Sequence, residues 1–151
     1  MAGSNLLITK LSPNATIPVK GTQKSVGFDL FSAQNVDILP GKWEKIYTDL
    51  RIGIPDGCYG RIAPRSGLAS GPFGIDVLAG VIDRDYTGNV RIVLRNNSSS
   101  ITFNVKVGDK IAQLVCEKCC YPEIIEIEKS NNDYYKDNNT RGDKGFGSTG
   151  M

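Results

Sequence analysis

The chain has 151 residues, 18 Lys and Arg against 16 Asp and Glu for a net charge of +2, and no histidine. That length fits one domain with a sizeable core, and the dispersed charge offers no footprint for duplex nucleic acid or an anionic membrane, so neither is expected as a partner. Proton transfer must therefore fall to carboxylates, thiols, lysines or tyrosines.

No stretch approaches the length of a membrane-spanning helix. Residues 1–10 lack a basic lead, a long apolar centre and a small-residue cleavage site, so the expected location is cytoplasmic or nuclear rather than secreted. Short runs rich in branched and aromatic residues then recur between glycine, proline, asparagine and aspartate. Leu6–Leu11 and Phe28–Ala33 read as strands, and Asp29 inside the second is costly unless paired, with Arg65 a candidate, or set near a metal-bound phosphate. Lys45–Ile54 and Tyr59–Ala63 read as the next strands. Pro64-Arg65-Ser66-Gly67 then breaks the pattern. A guanidinium, a hydroxyl and a glycine amide in sequence make a compact anion cradle, with a single helical turn over Arg65–Ser70; the same four residues also make an ordinary turn.

Gly80-Val81-Ile82-Asp83-Arg84-Asp85-Tyr86-Thr87-Gly88 is an apolar run ending in a carboxylate. Val81 and Ile82 predict a buried strand, and Gly88 supplies freedom for a hairpin returning through Val90–Leu94. Asp83, at the mouth of that turn, is the best-placed acid in the chain, although an isolated Asp pair also serves simply to build a turn. Ile101–Val105 and Ile111–Cys116 are further strands, the latter entered through Gly108-Asp109-Lys110, and Gln113 among apolar neighbours needs backbone or ligand to satisfy its amide. Cys58, Cys116, Cys119 and Cys120 have neither histidine nor a glycine knuckle to complete a metal site and are expected as free thiols. Ile124–Glu128 reads as a last strand.

The whole is an all-β pattern, for which a sandwich or barrel-like jelly roll is the natural class. Residues 1–130 form its β core, and residues 131–151, with hardly an aliphatic side chain, form a spacer and a glycine-rich arm. Arg141 and Phe146 among glycines suit an arm closing on a ligand, as phosphate and base contacts; an untidy solvated terminus has the same composition.

Five segments in order, Gly27-Phe28-Asp29-Leu30, Pro64-Arg65-Ser66-Gly67, Gly80-Val81-Ile82-Asp83 with Tyr86 and Gly88, Gly108 to Leu114, and Arg141-Gly142 with Gly145 to Gly150, closely resemble the five motifs of trimeric dUTPases. The resemblance implies a homotrimer of jelly-roll subunits with shared active sites, each hydrolysing dUTP to dUMP and pyrophosphate with Mg2+ on the triphosphate. Such an activity would lower dUTP and supply dUMP for thymidylate synthesis. It implies that Asp83 activates water for attack on the α-phosphate and that Tyr86 packs under the sugar, leaving no room for a 2′-hydroxyl. Gly80, Val81, Ile82 and Arg91 would read uracil, while Arg65, Ser66, Gly67 and Gln113 would hold phosphate oxygens. Arg141 would reach the terminal phosphate, Phe146 would stack on the base with Gly147 and Ser148 beside it, and Asp29 would touch the metal only through water.

Val26 and Arg84 depart from the family pattern, and Arg84 is expected to point away from Asp83 along the strand. Within the same superfamily, dCTP deaminases usually carry a glutamate on the strand after the aspartate motif, where this chain reads Val90-Arg91-Ile92-Val93-Leu94. A catalytically silent jelly-roll module would not require Asp83, Arg65, Gln113 and Arg141 together.

Overall fold

The computed structural model describes residues 5–128. In chain order its elements are β1 (Leu7–Lys10), β2 (Val19–Lys20), β3 (Phe28–Phe31), β4 (Val36–Ile38), β5 (Trp43–Tyr47), β6 (Leu50–Gly53), β7 (Cys58–Ala63), α1 (Ser66–Ala69), β8 (Asp76–Leu78), β9 (Val81–Ile82), β10 (Arg91–Arg95), β11 (Phe103–Val105) and β12 (Lys110–Lys118). The fold is a jelly roll, nearly all β, and the one helix among the described residues is the single turn expected after Pro64.

Five strands make the largest sheet, in the order β2-β3-β12-β7-β9, and β5-β10-β8, β1-β6 and β11-β4 complete the framework. All pairings are antiparallel, so side chains alternate between a covered and an open face. One apolar core joins the sheets. Leu30, Ile38, Ile46, Leu50, Ile62, Ile92, Leu94, Ile111 and Leu114, drawn from seven different strands, are all buried within it.

Three sequence expectations within the sheets need correction. The run Lys45–Ile54 is two strands rather than one: β5 pairs with β10 and β6 with β1, and the chain changes sheets at Thr48 and Asp49. The antiparallel partners of β10 are β5 and β8, while β9 joins β7 on the large sheet, so the Asp83 loop crosses between sheets and is not a simple hairpin. Val81 is 64% exposed, because β9 lies at the edge of its sheet and only Ile82 packs toward the core.

Tyr121 begins a second unit. Its described residues, 121–128, carry no strand, and Ile124 and Ile125 stand 99% and 77% exposed; alternating apolar residues alone do not make a strand without a ladder partner. No helix among the described residues is long and apolar enough to cross a membrane.

Candidate active site

Two groups of motif side chains are assembled by the large sheet. The first lies where β3, β12 and the end of β7 meet. Gln113 is opposite both Asp29 and Ala63, which places the amide between the carboxylate and the strand leading into Pro64. Gln113 Nε2 donates to the Pro64 carbonyl at 2.8 Å, so backbone satisfies the amide donor. Its Oε1 lies over Gly27, where a Cβ would stand only 2.1 Å away, so the glycine is there for close approach.

Asp29 is the hub of this group. Arg65 Nε donates to Oδ1 at 3.0 Å and Lys110 Nζ lies 3.0 Å from Oδ2, while the Arg65 guanidinium also reaches the Lys110 carbonyl at 3.4 Å. The carboxylate is thus paired, as its place in an apolar strand demands. Arg65 is oriented through one edge of its fork and keeps the remaining N–H groups for another ligand. It leads into α1, whose exposed Ser66 and Gly67 carry amides with no acceptor inside the helix. A Cβ on Gly67 would meet nothing within 4 Å, so the space on that side of the residue is open.

Lys110 was missed in the sequence because strand alternation puts it on the opposite face from Gln113. The ladder shifts register between Lys110 and Ala112, and the extra residue turns Lys110 onto the Asp29 side, opposite Phe31. Its ammonium lies 5.9 Å from the Phe31 ring centre. The Gly108-Asp109 turn entering the strand was the available signal, since bulges favour such strand ends, and Gly108 has a φ of 87°.

The second group surrounds a cavity of about 150 Å3 lined by Val81, Ile82, Asp83, Tyr86 and Arg91. Gly80 makes the approach possible: its carbonyl accepts from Ile62 N–H at 2.7 Å, and a Cβ there would lie 2.5 Å from the Ile62 oxygen. The turn closes with Tyr86 N–H donating to the Asp83 carbonyl at 3.1 Å, and Tyr86 Oη donates to the Asn89 carbonyl at 2.8 Å. Gly88 serves space rather than backbone freedom, since it lacks a positive φ and its Cβ would meet Tyr86 Oη at 2.6 Å. Arg91 enters from β10 with its guanidinium 5.0 Å from the Tyr47 ring centre. Asp83 is exposed at the mouth, and Arg84, in the turn beyond the end of β9, pairs with Asp56.

Larger hollows of about 440 and 400 Å3 lie elsewhere. The only carboxylate in the first is Asp56, already paired with Arg84, and the second has none, so neither offers an unpaired carboxylate. Among the described residues no group of three histidine, cysteine, aspartate or glutamate side chains could hold a metal ion. The four cysteines are unpaired, and burial followed by the neighbouring Cys58 pushes the Cys116 thiol up from its ordinary value. Arg141, Phe146, Gly147 and Ser148 lie outside the described residues.

A model of the dUTPase family matches residues 13–150. The chain belongs to the dUTPase family. It is 49% identical to the mouse deoxyuridine 5′-triphosphate nucleotidohydrolase over 98% of this chain and 86% of the relative. The Staphylococcus bacteriophage 80alpha dUTPase with dUPNHPP superposes with a TM-score of 0.86 at 28% identity, covering 99% of this chain and 100% of that one. A mutant dUTPase from phage phi11 of S. aureus, described for coordination of a structural Mg(II) ion, gives a TM-score of 0.76 at 29% identity, over 83% of this chain and 97% of that chain. Apart from Arg91, the principal side chains of both groups lie in the segments that resemble the dUTPase motifs.

Proposed function

We propose that this dUTPase family member hydrolyses dUTP to dUMP and pyrophosphate, with the deoxyribose and uracil in the Asp83 cavity and the phosphates along the Arg65 group. The observation that carries this reading is the convergence of Asp83, Tyr86 and Arg91 on a cavity sized for a ring and not a whole nucleotide. Asp83 orients and deprotonates the attacking water, and Tyr86 lies under the sugar. Arg65, Ser66, Gly67 and Gln113 hold phosphate oxygens, which neutralises charge developing as the phosphoryl bond breaks. The Gly80–Ile82 backbone and Arg91 read the uracil edge, where a wrong base would leave buried groups unpaired. Residues 131–151 supply an arm in which Arg141 meets the terminal phosphate and Phe146, with Gly147 and Ser148, covers the base.

A second copy of the chain is needed to complete the site. Gly60 lies opposite Ile82, so Asp83 stands at the Tyr59 end of β7, whereas Arg65 follows the other end. Six residues of strand separate those ends by about 20 Å, more than the span from a deoxyribose to its own phosphates. A homotrimer with shared sites fits this separation, each nucleotide lying across a subunit boundary.

Magnesium would ride on the triphosphate, supplying charge neutralisation and a fixed phosphate geometry. Asp29 already has a cation on each oxygen and is suited to a contact through water rather than direct ligation. Four unpaired thiols fit a reducing compartment, the cytosol or nucleus.

The test is incubation with each common nucleoside triphosphate while pyrophosphate and ammonia are followed. Pyrophosphate from dUTP and little from UTP, dCTP or dTTP is expected. Ammonia from dCTP would instead indicate deamination, and silence with every nucleotide would overturn the catalytic assignment.

A further inference from the structure

Between β5 and β6 the chain leaves one sheet and enters another through two residues, Thr48 and Asp49. Thr48 is buried, and both its N–H and its Oγ1 donate to the Val90 carbonyl, at 3.1 and 2.7 Å. Val90 N–H in turn donates to the Leu50 carbonyl at 2.8 Å. The crossing is therefore stitched to the outgoing end of the Asp83 loop. Asp49 has a φ of 51°, a left-handed backbone that aspartate tolerates better than most residues.

That backbone aims the carboxylate. Oδ2 accepts from Ser12 Oγ at 2.6 Å and Oδ1 accepts from Asn89 Nδ2 at 2.8 Å, while the Asp49 carbonyl accepts from Leu11 N–H at 2.8 Å. The Asn89 carbonyl then receives the Tyr86 hydroxyl at 2.8 Å. A continuous chain of contacts thus runs from Ser12 through Asp49 and Asn89 to the ring that lines the Asp83 cavity. Asn89 Oδ1 is buried without a hydrogen-bond partner among the described residues. An unpaired buried acceptor is unfavourable, so an amide at this position is explained by its other end, which holds Asp49.

We propose that Asp49, outside all five motifs, is a positioning residue for sugar discrimination: through Asn89 it fixes the Tyr86 ring that excludes a 2′-hydroxyl. The inference rests on the proposed placement of the deoxyribose in the Asp83 cavity. Rejecting one added oxygen requires the ring to stay within a fraction of an ångström, and the Asp83–Tyr86 turn alone gives it one backbone hydrogen bond of 3.1 Å.

Asp49→Asn preserves both contacts, because its amide oxygen can accept from Asn89 while its NH2 donates to the Ser12 hydroxyl. Asp49→Gly keeps the backbone conformation accessible and removes both. Asn89→Ala cuts the same link from the other side and carries the test if Asp49→Gly does not fold. The measurement is kcat and KM for dUTP and for UTP in each full-length variant, with the melting temperature alongside. In Asp49→Gly and Asn89→Ala the dUTP-over-UTP preference in kcat/KM is expected to fall about tenfold, and in Asp49→Asn to stay within about twofold of the parent. A general loosening slows both substrates alike and leaves the ratio in place. An unchanged ratio in a folded Asp49→Gly or Asn89→Ala protein overturns the positioning role and leaves dUTP hydrolysis standing. A loss in Asp49→Asn equal to that in Asp49→Gly also overturns it. A parent protein inactive on dUTP overturns the underlying assignment instead.

Discussion

If each site draws Asp83 from one subunit and Arg65 from another, two inactive variants must rescue each other. Asp83→Asn removes the base and is expected to lower turnover by a factor on the order of 100 or more. Arg65→Ala removes a phosphate ligand, yet Asp29 keeps Lys110 at 3.0 Å, so no buried charge is abandoned and the fold should persist. After equimolar mixing and subunit exchange, a site has an intact Asp83 half in one case of two and, independently, an intact Arg65 half in one case of two. About a quarter of parental activity is therefore expected, whatever the number of subunits in the closed ring. The magnitude follows from the placement of the two groups at opposite ends of β7. The assay is dUTP turnover before and after exchange, with native mass spectrometry of differently labelled chains to show that exchange occurred. Activity remaining at the sum of the separate variants, in assemblies shown to be mixed, would place both halves on one chain and refute the reasoning.

Gly80→Ala should destabilise strongly, because its Cβ would sit 2.5 Å from the Ile62 backbone oxygen and neither strand can yield cheaply. Overpacking and the strained Ile62–Gly80 hydrogen bond together give about 2–4 kcal/mol, a melting temperature lower by about 5–15 °C by scanning calorimetry. Gly88→Ala should behave oppositely: its Cβ displaces the Tyr86 hydroxyl, 2.6 Å away, which can swing outward, so kcat/KM for dUTP falls about tenfold while the melting temperature stays within a few degrees. Glu117 accepts from Tyr59 Oη at 2.6 Å and from Arg61 Nε at 2.5 Å, and these bonds, the tyrosine's first, hold its carboxyl below the ordinary 4.5. A lowered folded-state value means that the contribution is present above pH 4.5 and lost as pH falls through the lower one, so Glu117→Gln should show a shallower acid decline of the urea midpoint below pH 4.5.

Much of the β framework was legible because alternation and glycine punctuation mark strands without reference to their partners. Leu6–Leu11, Tyr59–Ala63 and Ile111–Cys116 each coincide with an observed strand to within two residues at either end. Pairing was not legible in the same way. The outgoing limb from Gly88 reads as a hairpin, but β10 takes β8 and β5 as neighbours, a choice made by which inward faces complete the core. The break at Thr48 and Asp49 escaped notice because no glycine or proline marks it; Thr48 is anchored by the distant Val90, and that partner has no local signature. The same holds for Lys110, whose face is reversed by a bulge rather than by composition.

The motif glycines show that a motif marks a position without giving the physical reason for its residue. Among the described residues the positive-φ glycines are Gly41, Gly57, Gly74 and Gly108, and of these Gly108 lies in a motif. Gly27, Gly80 and Gly88 answer to crowding, since an added Cβ would come within 2.1, 2.5 and 2.6 Å of Gln113, Ile62 and Tyr86 respectively. Gly67 differs from all of them, with nothing within 4 Å of its Cβ position. Glycine gains nothing there from the chain's own packing, which fits the proposed placement of phosphate oxygens beside Arg65. On the proposed placement of the phosphates, a methyl group at Gly67 would cost the apoprotein little and would obstruct the phosphate, whereas at Gly27, Gly80 and Gly88 the chain's own packing already excludes it.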